Sequence, residues 1–560
     1  MSQGSHVQMF GRVTVLGADA HPHAARRLKE SWADLEWLDA AAGSVVPESM
    51  PTVMLRESAG LDEGAFRIEV DSTGAVPSIT ITGGPFSGVI FGVEELVQRI
   101  SQPAPNGIRI ADRNLERTPK LAYRTFWTWD HSTNWELNQI GHQEIGVFNS
   151  YGKPPGGFLA DYRRMVDFCS MNQIAAIVIY GFFRDSHGGV AAAQELCRYA
   201  NERGVRILPG IAIGAYGGVY WEGKHPYNLA TWLDRNPGYE AEMERGVGFQ
   251  LQDLSFPLSF PKSDYTRTAC PSEPANIEWM RDAISWLVET VDVGGINIEA
   301  GDYGVCGCAK CNARRGERET AARRDNDAEF WSHADMADNF PVLFDAARSQ
   351  RKDLWLYCEL QWDNLLDPAA HDPLNTLPQG GIYQHTFNRS YWNRARTELT
   401  AADVRSLPTQ TNVIRSQFAC QWNGDERTER YAFNAPDFAE LARTSAALDM
   451  QGLTVWGEPS PYHVSSELSY LAFGRFTYDP DLTWEEFMAQ DVAPRVGGQS
   501  EADAFVRLME ELDGSARIDA TRLRGIRDEA LDAAKSTVGD AVRRWLWLAD
   551  RASQRSFMGH

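Results

Sequence analysis

Short apolar runs rich in β-branched and aromatic residues recur from residue 120 onward, separated by stretches with helical spacing. The runs fall at 122–130, 175–182, 206–213, 295–302, 354–361, 381–387, 412–420 and 452–458. Segments 161–171, 191–203 and 277–291 are among the amphipathic stretches between them. Strands that alternate with helices form a parallel sheet. Eight such units predict an α/β fold, a (β/α)8 TIM barrel over 120–480. A doubly wound sheet uses the same alternation, but no run leads into a GxGxxG or GxxxxGKS phosphate loop.

The pattern differs on either side of this region. Residues 66–70 and 78–82 alternate apolar and polar positions, as half-buried strands do. Gly83-Gly84-Pro85 turns the chain, and 89–100 has helical spacing at Phe91, Leu96, Val97 and Ile100. These predict a small α/β N-terminal domain over 1–115, closed by Pro103, Pro105 and a loop running to Pro119. From Thr483 the chain is rich in Ala, Arg, Asp and Leu, which predicts a helical C-terminal region over 483–560 packed on the barrel.

Composition narrows the function classes. The chain has 560 residues, more than one compact core holds (about 250–300). Lys and Arg number 54 against 76 Asp and Glu, a formal charge of −22. That balance argues against nucleic acid as the main partner, and it otherwise serves solubility. No segment approaches the roughly 18–20 apolar residues of a membrane span. Met1 to Arg12 is polar, with no basic start leading into an apolar stretch, so no secretory signal is expected and the location expected is cytoplasmic. Association into a homo-oligomer stays open. The 18 Trp suit either core packing or stacking on sugar rings.

In a (β/α)8 barrel the active site lies at the C-terminal ends of the strands. The predicted ends carry Trp127-Thr128-Trp129-Asp130, Arg184-Asp185-Ser186-His187, Glu299 with Asp302, Glu359 with Trp362, Tyr383 with His385, Gln417 with Gln421 and Trp422, and Trp456-Gly457-Glu458. Carboxylates interleaved with aromatic rings at one rim are what glycoside hydrolysis needs. One carboxyl protonates the leaving oxygen while a second attacks the sugar or activates water. Each acid singly also suits a helix cap or an ion pair. Glu299 stands apart because it follows Ile296-Asn297-Ile298, where an unpaired charge is costly. It is the first choice for general acid/base. Glu458 is the best partner, then Glu359, with Asp302 placed to tune Glu299 or bind sugar. Asp130, Trp129, Arg184, His187, Tyr383, His385, Trp422 and Trp456 are the candidate sugar-binding residues. Arg124, Arg184 and Arg415 are the cations available to clamp a uronic acid.

Cys306-x-Cys308-x-x-Cys311 places three thiols within one turn-sized segment, and Cys270 in Thr268-Ala269-Cys270-Pro271 offers a fourth. Four thiolates with no open position make a structural zinc site, and reduced, metal-free thiols are the plain alternative. No organic cofactor is expected. Neither His187 nor His385 sits in an HExxH or HxH pattern.

The stretch from Cys270-Pro271-Ser272-Glu273-Pro274 through Asn297-Ile298-Glu299 to CxCxxC resembles the fourth-strand region of family 42 β-galactosidases. The resemblance implies that Glu299 is the acid/base and that the four cysteines hold zinc. It departs in placing Ile298 between Asn and Glu. At strand seven, where that family has its nucleophile, this chain has Gln417 and Gln421 and no carboxylate before Asp425. A second resemblance covers the N-terminal third. Ile81-Thr82-Gly83 followed by Gly88-Val89-Ile90-Phe91-Gly92-Val93 is similar to the N-terminal domain of family 67 α-glucuronidases and family 20 hexosaminidases. Pro119-Lys120-Leu121-Ala122-Tyr123-Arg124, Trp129-Asp130 and Asp161-Tyr162-Arg163 also look like the α-glucuronidase barrel entry. The expectation is a glycoside hydrolase that cleaves a terminal sugar from a glycoside or oligosaccharide. A barrel that binds carbohydrate without cleaving it, and a hydrolase or lyase acting on a sugar-like substrate, are the rival classes.

Overall fold

The computed structural model describes residues 6–41, 43–46, 49–73, 76–105, 107–130, 133–136, 156–212, 214, 217–242, 267–299, 306–315, 333–360, 365–366, 375, 377–418, 432–514 and 518–557. The N-terminal part holds two sheets. β1 (His6–Phe10), β8 (Gly107–Ala111) and β7 (Ser101–Ala104) form an antiparallel set. The larger sheet runs in the order β3 (Glu36–Ala40), β2 (Arg12–Leu16), β4 (Thr52–Glu57), β6 (Ser78–Gly83), β5 (Phe66–Asp71) and β9 (Leu115–Arg117). Phe66, Ile68 and Val70 alternate into its core with Ile79 and Ile81, which is the period-two pattern of the sequence.

The segment 89–100 is helical as expected, α over Gly88–Glu95 and then a wider π turn over Leu96–Ile100. A Cβ on Gly92 would lie 2.6 Å from Ile81 Cγ2, so glycine lets this helix sit close on the sheet. From the π turn, Arg99 pairs with Glu95 at 2.9 Å and with Asp491 at 3.1 Å. Arg475 also pairs with Asp491, at 2.9 Å. This buried cluster joins the N-terminal part, the helix Val464–Tyr478 and the C-terminal region.

The eight predicted runs close into one parallel barrel. In order these are β10 (Tyr123–Trp129), β11 (Ala176–Tyr180), β12 (Arg206–Ala212), β13 (Gly295–Glu299), β14 (Trp355–Leu360), β15 (Ile382–Phe387), β16 (Thr411–Ser416) and β17 (Gly452–Trp456). Helices such as Gly157–Met171, Gly189–Asn201 and Pro274–Thr290 cover its outside. Every strand is buried on both faces, and alternation divides the side chains. Trp127, Trp129, Val178, Tyr180, Leu208, Tyr357, Val413 and Trp456 fill the lumen as one cluster. Phe126, Ile177, Ile207, Ile296, Ile298 and Tyr383 belong to the larger layer between strands and helices.

The C-terminal region starts where Thr483 and Glu486 form a reciprocal capping box. It continues through helices Gln499–Gly514, Ala520–Ser536 and Asp540–Phe557. Arg544 bonds Glu467 at 2.9 and 2.5 Å, which docks the last helix on Val464–Tyr478. No helix among the described residues is long and apolar enough to cross a membrane.

Asp513, with its side chain 9% exposed, accepts the Phe433 backbone N–H at 2.8 Å and lies 4.0 Å from Arg551. Burial pushes its carboxyl up to about 6. A carboxyl raised above its unfolded value gives stability that is full below the ordinary carboxylate range and is lost as pH rises through about 6. Asp513→Asn keeps an oxygen for Phe433 and removes the buried charge. It is therefore expected to raise stability at pH 8 by an amount on the order of 2–3 kcal/mol and to change little at pH 4. Denaturant unfolding at the two pH values measures both.

Candidate active site

The polar centre of the barrel is built around Glu359 on β14. Its Oε2 accepts hydrogen bonds from Trp127 Nε1 at 2.9 Å, Tyr180 Oη at 3.0 Å and Asn297 Nδ2 at 3.0 Å. Its Oε1 pairs with Arg415 Nη1 at 2.8 Å. The donors come from β10, β11, β13 and β16, so closure of the barrel itself assembles the set. Asn297 Nδ2 also donates to Tyr180 Oη at 2.8 Å, and Gln384 Nε2 donates to Asn297 Oδ1. Arg415 lies 5.0 Å from the centre of the Trp127 ring. Burial, then the charges of Glu299 and Glu359, raise the Tyr180 hydroxyl well above its ordinary value, which keeps it a donor.

Glu299 closes β13 and is 1% exposed. It stands in register with Glu359 on β14, and both share the lumen face with Asn297. Around them Trp127, Trp129, Tyr180, Trp221 and Trp456 form a continuous aromatic wall. Trp127 and Trp456 lie 4.3 Å apart between ring centres, Trp129 and Tyr180 4.7 Å, and Trp129 and Trp221 5.5 Å. Glu458 follows β17 on the opposite side of the ring, since β13 is the fourth strand and β17 the eighth. Its Oε1 accepts the Trp129 backbone N–H at 2.8 Å, extending the β10–β17 ladder past the last backbone bond from Gly457.

Asp130 and Arg184 form a buried pair at 2.7 Å, and Arg184 also reaches Glu222 at 3.4 Å and lies 5.4 Å from the Trp221 ring centre. The structure thus brings Glu299, Glu359, Glu458, Trp129, Trp456, Asp130 and Arg184 to the lumen and its rim.

Other expected site residues lie elsewhere. Tyr383 and His385 flank the lumen-facing Gln384, and alternation sends them to the outer face. Tyr383 Oη bonds the Pro378 carbonyl at 2.5 Å and His385 Nε2 lies 2.9 Å from Asn412 Oδ1. His187 stacks on Phe158 at 3.8 Å between ring centres, with Nε2 3.0 Å from the Gly181 carbonyl. That contact places it against the outer layer rather than in the lumen. Arg124 is bound to the Gln173, Leu121 and Ala122 carbonyls and lies 5.2 Å from the Tyr478 ring centre, away from the rim. Asp302, Trp362, Gln421, Trp422 and Asp425 lie outside the described residues. Trp127, Tyr180, Asn297 and Gln384 complete the network, and only Trp127 was expected there.

The sulfurs of Cys270, Cys306, Cys308 and Cys311 all lie within 4.8 Å of one another. Three of the separations are 3.5, 3.7 and 3.8 Å. A tetrahedral ion with metal–sulfur bonds of about 2.3 Å needs sulfurs about 3.8 Å apart, so the donor set fits zinc. The Glu242 and Cys311 backbone N–H groups donate to the Cys306 and Cys308 sulfurs at 3.3 and 3.4 Å. Hydrogen bonds from the Cys270 and Cys311 thiols hold the Cys306 thiol below its ordinary range.

No protein-family model and no curated protein sequence matches the chain. Solved structures do. A β-N-acetylhexosaminidase from Bacteroides fragilis aligns over 87% of this chain and 92% of its own, at 12% identity and a TM-score of 0.53. A family 20 β-N-acetylhexosaminidase from Streptomyces coelicolor aligns over 87% and 91%, at 13% identity and a TM-score of 0.50. The chain has the fold of family 20 β-N-acetylhexosaminidases, a TIM barrel behind an N-terminal sheet.

Proposed function

We propose that this protein is a glycoside hydrolase that removes a terminal sugar from a glycoside or oligosaccharide, with Glu299 as general acid/base. The observation that carries the reading is the buried Glu299 at the end of the fourth barrel strand, within an aromatic lumen and in register with a second carboxylate. A general acid needs a proton to deliver to the leaving oxygen, and glycosidases hold such an acid among apolar and aromatic side chains. Glycosidases place two carboxyls on either side of the scissile bond. Glu458, across the barrel from Glu299, fits the second role better than Glu359. Glu359 has both oxygens bound by four donors, so attack or water activation would first require breaking those bonds.

In this account Glu299 protonates the leaving oxygen and Glu458 acts from the opposite side, directly or through water. Trp129 and Trp456 hold the sugar faces. Solved proteins with the same fold are described as β-N-acetylhexosaminidases, which supports the glycosidic reading. Release of aryl groups from a panel of aryl glycosides by the purified protein tests it.

The four cysteines hold a structural zinc ion in this account, which fixes the segment after β13 to the one before helix Pro274–Thr290. Native mass spectrometry is expected to find one zinc per chain, lost in Cys308→Ser. A parent chain that carries no zinc, or a Cys308→Ser chain that keeps it, would contradict this.

A further inference from the structure

β17 ends at Trp456, so Glu458 lies beyond the strand that carries it. The last backbone bond of that edge runs from the Gly457 N–H to the Trp127 carbonyl at 3.1 Å. What fixes Glu458 is therefore the anchoring of 457–463, the segment that leads into helix Val464–Tyr478. One side of it is held by the connection after β10. Trp135 Nε1 donates to the Gly457 carbonyl at 2.8 Å, and Ser460 Oγ donates to the Trp135 carbonyl at 3.4 Å. The other side is held from the end of the chain. Arg543, on helix Asp540–Phe557, donates from Nη1 to the Tyr462 carbonyl at 3.1 Å and from Nη2 to Glu467 Oε2 at 3.3 Å. Its guanidinium carbon lies 5.5 Å from the Tyr462 ring centre. Trp547, one turn further along the helix, meets His463 edge-on at 6.3 Å between ring centres.

The same helix is docked without Arg543. Arg544 grips Glu467 at 2.9 and 2.5 Å, and Trp545 Nε1 donates to the Val496 carbonyl at 2.9 Å. The Arg543 side chain is 35% exposed, so burial does not account for its place. Its contacts instead straddle the junction between the segment that carries Glu458 and the first turn of the helix that follows. We propose that the C-terminal helix is part of the active-site support, with Arg543 as a positioning residue that fixes 457–463 and through it Glu458. The effect on turnover rests on the glycosidase reading, and the placement of Glu458 does not. Charge-assisted bonds are the stronger and shorter kind, which suits a guanidinium to hold a loop carbonyl against a helix carboxylate. The restraint matters because a reacting group misplaced by about 1 Å loses on the order of 10²-fold in rate.

Arg543→Met and Arg543→Gln remove the cation, and Arg543→Lys keeps it. All three are expected to fold, since Arg544 and Trp545 still dock the helix. On a series of aryl glycosides the first two are expected to lower kcat about ten- to hundredfold, by one factor for every leaving group, with KM changed less than about threefold. Arg543→Lys is expected to recover most of that loss. In a Glu458→Gln background, Arg543→Met is expected to cost no more than about twofold further, because the group it positions is gone. A purely structural arginine gives equal losses in the two backgrounds. That result overturns the proposal, as does no loss in either variant or failure of both to fold. The Trp129 backbone N–H, bonded to Glu458 Oε1 at 2.8 Å, supplies a readout that needs no turnover. Its hydrogen exchange is expected to quicken about tenfold or more in Arg543→Met. It is expected to keep the parent rate in Arg527→Met, which removes an arginine 39% exposed on helix Ala520–Ser536. Unchanged exchange at Trp129 in Arg543→Met overturns the proposal as well. A parent that releases no aryl group overturns the hydrolase reading alone, and exchange at Trp129 then decides the placement of Glu458.

Discussion

Glu299→Gln is expected to fold as the parent does and to hydrolyse glycosides with poor leaving groups about 10²–10⁴-fold more slowly. The amide keeps the shape of the side chain but cannot deliver a proton to the departing oxygen. The loss should shrink with the acidity of the leaving group, because a dinitrophenolate departs without protonation. Steady-state rates on a series of aryl glycosides measure that dependence. An equal loss across the series would place Glu299 outside the acid role, and no loss would remove it from the site. Glu458→Gln is expected to be slow on every member of the series, since its part is played against the sugar and not the leaving group.

Arg415→Met is expected to be among the most destabilising single substitutions in the barrel. It removes the cation paired with Glu359 Oε1 at 2.8 Å and leaves a carboxylate in a lumen where Glu359 is 0% exposed. Breaking one side of a buried pair costs about 3–5 kcal/mol. Three neutral donors on Oε2 hold the remaining charge in place and do not neutralise it. Adding Glu359→Gln is expected to recover much of the loss, because the double variant buries no unpaired charge. Denaturant unfolding of the parent, both singles and the double gives the coupling directly. Additive losses would mean that the two side chains do not act as a pair.

The barrel was legible because each strand is buried on both faces and so reads as a continuous apolar run bounded by helical spacing. The same property hides which face is the lumen. Residues 382–387 read Ile-Tyr-Gln-His-Thr-Phe, and nothing in that run says that Gln384 points inward while Tyr383 and His385 point out. The more familiar sugar-binding side chains drew the expectation, and the register reversed it. The Glu359 network was hidden for a related reason. Trp127, Tyr180, Asn297 and Arg415 lie on four different strands, and only the parallel pairings bring them to one carboxylate. The buried place of Glu299 at the end of the fourth strand was legible because the end of an apolar run is a property of local sequence. The thiol set was found because three of its members share one short segment.

The central claim is that Glu299 acts as the proton donor of a glycoside hydrolase. The most direct measurement is the rate of aryl release from a panel of neutral aryl glycosides, by the parent and by Glu299→Gln at equal concentrations of folded protein. The account predicts turnover of at least one member by the parent and its loss in the variant for substrates whose leaving group needs a proton. Equal rates from the two proteins, or no release from any member by the parent, would contradict it.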